Sequence, residues 1–200
     1  MYIWTLSKVY SALSAADIIL TVPTSYIDAI SEECQVFGER VRVIAGGASR
    51  QESVYLALCA LKTISPDFVL VHDAARPFVS ENHLREAVHI AKSRASCTIA
   101  LPVTDTIKEV NEGKIVHTVD RSVLWSVQTP QAAPFNLLLD CHVKARKENV
   151  QVTDDAAILE HYGQEVLVFE GSTGNIKVTR QEDFTTCQLL APLYLSEKPI

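Results

Sequence analysis

Phe68-Val69-Leu70-Val71-His72-Asp73-Ala74-Ala75-Arg76-Pro77 is the stretch that sets the fold class. Four apolar residues run straight into a carboxylate, with an arginine three residues on. A short run that is apolar on both faces reads as a strand covered on both sides, as in parallel sheets. The segment that follows supports this: Ser80 caps a helix carrying Leu84, Ala87, Val88 and Ala91 on one face. Strand followed by amphipathic helix is the unit of an α/β fold.

The same unit recurs on either side. Upstream, Leu6, Val9, Tyr10 and Leu13 share a helix face, and Ile18–Val22 is an apolar run closed by Pro23. A weaker helix is predicted over Ser25–Cys34. Val41–Ile44 then reads as a strand running into Gly46-Gly47. Ser49 and Glu52 have capping-box spacing, opening a helix with Val54, Leu58 and Leu61 on one face. Downstream, Thr98–Leu101 is a strand and Phe135–Arg146 a helix. Thr153-Asp154-Asp155 is a helix start with acids in the first turn, and that helix stops at Gly163. Val166–Phe169 and Ile176–Val178 read as strands, and Arg180 to Leu195 as the closing helix. The pattern predicts an α/β fold, with a mainly parallel, doubly wound sheet in one domain over residues 1–200.

Residues 104–121 break the alternation. Thr104–Val110 and Ile115–Val119 flank Asn111-Glu112-Gly113-Lys114, which reads as a hairpin. Its strands are polar enough to leave the main sheet as a protruding arm. Exposed strand edges usually find a partner, so a dimer contact is predicted.

Composition excludes several classes. The chain has 200 residues, 18 Lys plus Arg against 24 Asp plus Glu, and a net charge of −6. An acidic balance argues against a nucleic-acid binder, which needs a basic surface. With 48% apolar and 21% charged residues the chain has enough to bury and is not a disordered one. No uncharged apolar run approaches the ~20 residues that span a bilayer, and no signal peptide is legible at the N-terminus. Cys34, Cys59, Cys97, Cys141 and Cys187 form no C-x-x-C pair, so they read as free thiols in a reducing compartment, the cytoplasm.

In open α/β sheets ligands bind at the carboxyl ends of strands. Gly46, Gly47, Ser49 and Arg50 lie there, at a helix start suited to an anion or a base edge, although an ordinary tight turn has the same look. Asp73 and Arg76 lie at the next strand end. They read either as a Mg²⁺ carboxylate with a phosphate-binding arginine or as a structural pair that fixes the loop. His72 reads as a packing residue. Lys177, inside an apolar run, is costly unless its ammonium reaches solvent or an anion. Thr106, Thr129 and Thr153 are turn hydroxyls, and Arg121 a lone basic group. No Ser-His-Asp order, nucleophile elbow or Walker loop is present.

Seven strings carry a resemblance: Gly46-Gly47-Ala48-Ser49-Arg50-Gln51-Glu52-Ser53-Val54, Val71 to Phe78, Pro102 to Lys108, His117 to Arg121, Thr129-Pro130-Gln131, Thr153 to Ala156, and Asn175 to Thr179. In this order, over essentially the whole chain, they resemble the 2-C-methyl-D-erythritol 4-phosphate cytidylyltransferases of non-mevalonate isoprenoid synthesis. The resemblance implies a Rossmann-like fold and a homodimer joined through the arm, with CTP and methylerythritol phosphate as substrates and pyrophosphate as by-product. It implies nucleotide contacts at Gly47, Ala48, Ser53 and Ala74, and Mg²⁺ at Asp73. Arg76, Thr106, Arg121, Thr129, Thr153 and Lys177 would hold the sugar phosphate. Arg121, reaching the other subunit's site, and Lys177 would position the substrate phosphate for attack. The alternatives are a ribitol-5-phosphate cytidylyltransferase and a non-catalytic dimerising homologue.

The sequence departs from the family at its start. The family opens with a strand and a glycine-rich triphosphate loop of the form A-A-G-x-G-x-R-M, followed by P-K-Q. Here a helix comes first, the first glycine is Gly38, and Met1 falls just past that segment. The expectation is a chain truncated within the family's domain or lacking its catalytic loop, a poor CTP transferase with an unfilled central position in its sheet.

Overall fold

The computed structural model describes residues 1–194. Its elements follow the predicted order: α1 (Tyr2–Ala12), β1 (Ile18–Val22), α2 (Ile27–Cys34), β2 (Val41–Ala45), α3 (Arg50–Ala60), β3 (Phe68–Val71), α4 (Glu81–Lys92) and β4 (Ser96–Pro102). The hairpin β5 (Lys108–Asn111) and β6 (Lys114–Thr118) comes next, then β7 (Trp125–Pro134), α5 (Phe135–Glu148), α6 (Asp155–His161), β8 (Val166–Glu170) and α7 (Gln181–Tyr194). The predicted end of the last helix, Leu195, lies outside the described residues.

The main sheet has the order β3-β7-β4-β8. β4 and β8 are parallel, and β7 runs antiparallel to both β3 and β4. Three of these four strands therefore point one way. Neighbouring residues of β3 and β7 bury opposite faces. Val69 and Ala133 enter a core with Leu58, Phe135, Leu138 and Ile158. Ala132 enters another with Ala87, Ala91 and Cys97, against which Phe68 and Leu70 pack. Both faces are covered, as the apolar strand runs required.

Two predictions need correction. β7 is a central strand that the sequence reading missed, taking Thr129-Pro130-Gln131 only as a motif. A proline argues against a central strand because it donates no ladder hydrogen bond. Pro130 escapes that cost by position: β3 pairing ends at Val71–Gln131, and β4 skips register between Thr98–Gln131 and Ala100–Val127. Conversely, Ile176–Val178 is not a strand. The Val178 N–H donates to the Ala75 carbonyl (2.9 Å) and the Ile176 N–H to Gly174 (2.8 Å), with no ladder beyond.

Helix starts follow the predicted caps. Ser49 Oγ accepts the Glu52 N–H (3.1 Å), while the Glu52 carboxylate turns back to the Ala48 N–H (2.9 Å). Ser80 Oγ accepts from His83 (3.1 Å), and Asp154 caps α6 by accepting from Ala157 (3.0 Å). The β5–β6 hairpin forms a sheet of its own, and every residue of its two strands is exposed. All five cysteines are free thiols.

The sheet is interrupted between β1 and β3. Among the described residues β1 pairs only with β2, in parallel, and β3 pairs only with β7. Their free edges flank an open cleft of about 950 Å³, lined by apolar side chains of α1, α3 and α4 such as Leu6, Val9, Val54 and Val88 and by charged ones such as Arg50 and Asp73. β1 and β2 have a separate core of Leu6, Cys34, Phe37 and Val41.

Candidate active site

The carboxyl ends of β2 and β3 carry the site. After β2 the Gly46 N–H returns to the Val22 carbonyl (2.7 Å), tying this loop to the end of β1. The Gly47 N–H donates to Ser53 Oγ (3.0 Å), which in turn donates to the Ser49 carbonyl (2.9 Å). A Cβ on Gly47 would lie 2.5 Å from Glu52 Cβ, so the close turn requires glycine there. Gly47, Ala48 and Ser53 thus form one compact turn at the N-terminus of α3.

After β3, Asp73 sits among three cations. Its Oδ1 lies 3.1 Å from Arg50 Nε, and its Oδ2 lies 2.9 Å from Lys177 Nζ and 3.5 Å from Arg76 Nε. Burial works to raise the Asp73 carboxyl, but the Lys177 hydrogen bond and the Arg50 charge outweigh it and hold it below the usual range. Lys177 thus finds the anion that its apolar setting required, while its side chain stays 40% exposed. Arg76 Nη1 donates to the Asn175 carbonyl (2.8 Å), which fixes the 174–178 loop beside Asp73.

Hydrogen bonds from β7 hold this strand end. Thr129 Oγ1 accepts the Asp73 N–H (3.0 Å) and contacts His72 Nδ1 (3.0 Å), while His72 Nε2 faces the Arg76 carbonyl (3.2 Å). A carbonyl only accepts, so Nε2 carries the ring proton and Nδ1 accepts the Thr129 hydroxyl. Burial pushes the His72 imidazole down to about 4, so it stays neutral at pH 7. Asn175, fully buried, donates to Gln128 Oε1 (3.2 Å) and the Thr129 carbonyl (3.0 Å).

The structure brings Gly47, Ala48, Ser53, Asp73, Ala74, Arg76, Thr129 and Lys177 to one end of the sheet. Ala74 contributes its carbonyl to Thr5 Oγ1 (2.8 Å). Thr153 is exposed, just ahead of the Asp154 cap. Thr106 and Arg121 lie on the arm, both exposed, and Arg121 donates to the Thr104 carbonyl. Among the described residues no hydrogen bond or ion pair links either of them to the Asp73 cluster.

Sequence reasoning placed Arg50 among the strand-end residues and Asp155 in a helix first turn without joining them, and gave no role to Gln131 or Asn175. One signal was available for Arg50. A cation in the first turn of a helix opposes the helix dipole, so it needs nearby carboxylates, and Asp73 and Asp155 supply them.

The chain is similar to known proteins in sequence and in fold. The sequence profile of the 2-C-methyl-D-erythritol 4-phosphate cytidylyltransferases matches residues 1–192. The chain belongs to this family. The enzyme of that name from Petrotoga mobilis is 38% identical over 188 residues, spanning 93% of this chain and 83% of its own. The one from Aquifex aeolicus is 37% identical over 183 residues, 92% of this chain and 81% of its own. Among solved structures, the 4-diphosphocytidyl-2C-methyl-D-erythritol synthase of Anaerococcus prevotii superimposes with a TM-score of 0.85 at 28% identity, covering 98% of this chain and 86% of that one. The Thermus thermophilus cytidylyltransferase gives 0.81 at 30% identity, covering 94% and 87%. This family membership makes the protein a nucleotidyltransferase with a Rossmann-like fold.

Proposed function

We propose that this protein joins CTP to 2-C-methyl-D-erythritol 4-phosphate, giving the CDP-linked product and pyrophosphate in isoprenoid precursor synthesis. One observation carries the reading: a single ionised carboxylate at a strand end, ringed by Arg50, Arg76 and Lys177, beside a glycine turn at a helix N-terminus. A phosphate oxygen of the sugar phosphate attacks the α-phosphorus of CTP, the bond to the bridging oxygen breaks, and pyrophosphate carries that electron pair away. Such a transfer needs positioning and charge neutralisation rather than a covalent group on the protein.

In this reading Gly47, Ala48, Ser53 and Ala74 form the nucleotide side. Lys177 and Arg76 offer charge to the phosphates. Thr129 holds the strand end through the Asp73 N–H, its own hydroxyl being taken up by His72. Thr106, Thr153 and Arg121 complete the sugar-phosphate side. Arg121 is supplied by the arm of a second subunit in a homodimer, and the exposed apolar residues Ile115, Val116 and Trp125 on and beside the arm support that assembly. Sedimentation should show a dimer that Ile115→Asp dissociates; a monomeric parent would remove the trans role of Arg121.

The donor set fits Mg²⁺. That ion takes one or two carboxylates plus substrate phosphates rather than a protein cage. Asp73 is one such carboxylate, and the described residues contain no cluster of three or more potential ligands. Bound there, Mg²⁺ would neutralise charge on the CTP phosphates. Among the described residues no helix is long and apolar enough to cross a membrane, and the free thiols suit a cytoplasmic enzyme. The test is pyrophosphate release from CTP and Mg²⁺ with methylerythritol phosphate, run in parallel with ribitol 5-phosphate. Preference for ribitol phosphate would replace the substrate assignment, and no CTP-dependent release with either would overturn the reading.

A further inference from the structure

Arg50 pairs with a second carboxylate besides Asp73. Its Nη2 lies 2.8 Å from Asp155 Oδ2, while its Nε lies 3.1 Å from Asp73 Oδ1. Asp155 is 2% exposed. Its Oδ1 faces His142 Nε2 at 3.1 Å, and His142 is 1% exposed. The backbone around Asp155 is held as firmly. Gln131 Oε1 accepts the N–H groups of both Asp155 (2.9 Å) and Ala156 (3.0 Å), and Gln131 Nε2 donates to Asp154 Oδ2 (2.8 Å). A buried chain His142–Asp155–Arg50 thus ends on one oxygen of Asp73. The other oxygen faces Arg76 Nε at 3.5 Å and, more closely, Lys177 Nζ at 2.9 Å, the more exposed of the two cations, on a loop.

We propose that Arg50 is a positioning residue whose guanidinium, braced by the buried Asp155–His142 pair, locks Asp73 Oδ1 and leaves Oδ2 as the oxygen that exchanges Lys177 for an incoming ligand. Only an arginine can do this. Its planar fork reaches two carboxylates at fixed angles, whereas a lysine is a point charge on a flexible stem. Arg50 is also the first residue of α3, so the same brace fixes the glycine turn relative to Asp73. The nucleotide side and the charged side of the site are therefore held in register by a residue assigned to neither.

The test uses Asp155→Asn, which keeps the shape and the acceptor facing His142 but replaces the oxygen facing Arg50 with an amide donor. In ¹⁵N–¹H spectra of arginine side chains, the Arg50 Nε–H should be protected from exchange in the parent and lose that protection in the variant. This arm is independent of the assigned reaction. The kinetic arm rests on it: kcat should fall about 10–100-fold, the usual cost of removing a supporting partner, with KM for methylerythritol phosphate unchanged. An Asp155→Asn protein with lower Tm but a protected Arg50 Nε–H and parental kcat would show a merely structural carboxylate and overturn the proposal. Should that variant fail to fold, Arg50→Lys and Arg50→Met decide. Equal loss of kcat in both supports the brace; recovery by lysine shows that charge alone suffices and refutes it.

Discussion

The β3-β7-β4-β8 sheet and the β1–β2 pair are joined to the molecule in different ways. In the larger sheet β7 and β4 are paired on both edges, and side chains tie separate elements together: Thr129 to Asp73, Asn175 to Gln128, Gln131 to the start of α6. The β1–β2 pair has its own core around Phe37 and reaches the rest mainly through α1 and α3, because a cavity separates its free edge from β3. Asp73, Arg76 and Lys177 belong to the first region. The glycine turn that follows β2 belongs to the second. One half of the site is over-determined by crossing hydrogen bonds, and the other inherits the lower connectivity of its strands, the condition for local opening below the global unfolding free energy.

The largest expected effect tests that division directly. Phe37, 1% exposed and packed edge-on against Tyr10 at 5.2 Å, should cost about 3–5 kcal/mol when cut to alanine. Hydrogen exchange should accelerate at β1 and β2 while β4 and β7 keep their protection. Uniform acceleration would mean that the two regions open as one and would break the comparison.

Next comes Asp73→Asn. Loss of one preorganised electrostatic group costs about 10²–10³-fold in rate, and pyrophosphate release should fall by that order. The fold should persist, because the Thr129 bond to the residue 73 N–H remains, but with a lower melting temperature, because Arg50, Arg76 and Lys177 lose their shared counter-charge. Near-parental turnover would remove Asp73 from the chemistry.

His72 gives a pH prediction confined to the well-connected region. Its folded value of about 4 lies below the ~6.5 of an unfolded histidine. Between those values the unfolded chain binds the proton and the folded one does not, so stability is full above about 6.5 and is lost as pH falls towards 4. The loss should reach up to about 3 kcal/mol. Urea unfolding at pH 7 and 4.5, compared with His72→Gln, isolates it, and equal pH dependence in both proteins would refute the assignment. The smallest effect is Ser49→Ala, about 1 kcal/mol for a lost helix cap, read as faster exchange at the start of α3 without change at β7.

The strands and caps legible in the sequence were those with local signatures. Apolar runs such as Phe68–Val71 and the spacing of Ser49 and Glu52 carry their information within a few residues. β7 was hidden because its proline is tolerated only where a register skip in β4 falls opposite it, which no local window contains. Ile176–Val178 has strand composition, but its neighbours leave room for a single bond to Ala75. Asp73 and Arg76 were readable from their place at a strand end. The Arg50–Asp155–His142 chain was not, since it joins Arg50 to residues 92 and 105 positions further along through burial and charge, properties that only the folded chain displays.

The cleft beside β1 also has a meaning for the backbone. It opens to solvent, and charged groups such as Arg50, Asp73 and Lys92 line it together with apolar side chains, so water enters it. The edges of β1 and β3 that face it have no ladder partner among the described residues. A strand edge of this kind carries unpaired N–H and C=O groups and is a ready template for another extended segment, so the unpaired edges, rather than the packed faces of the sheet, are where this molecule is open to pairing.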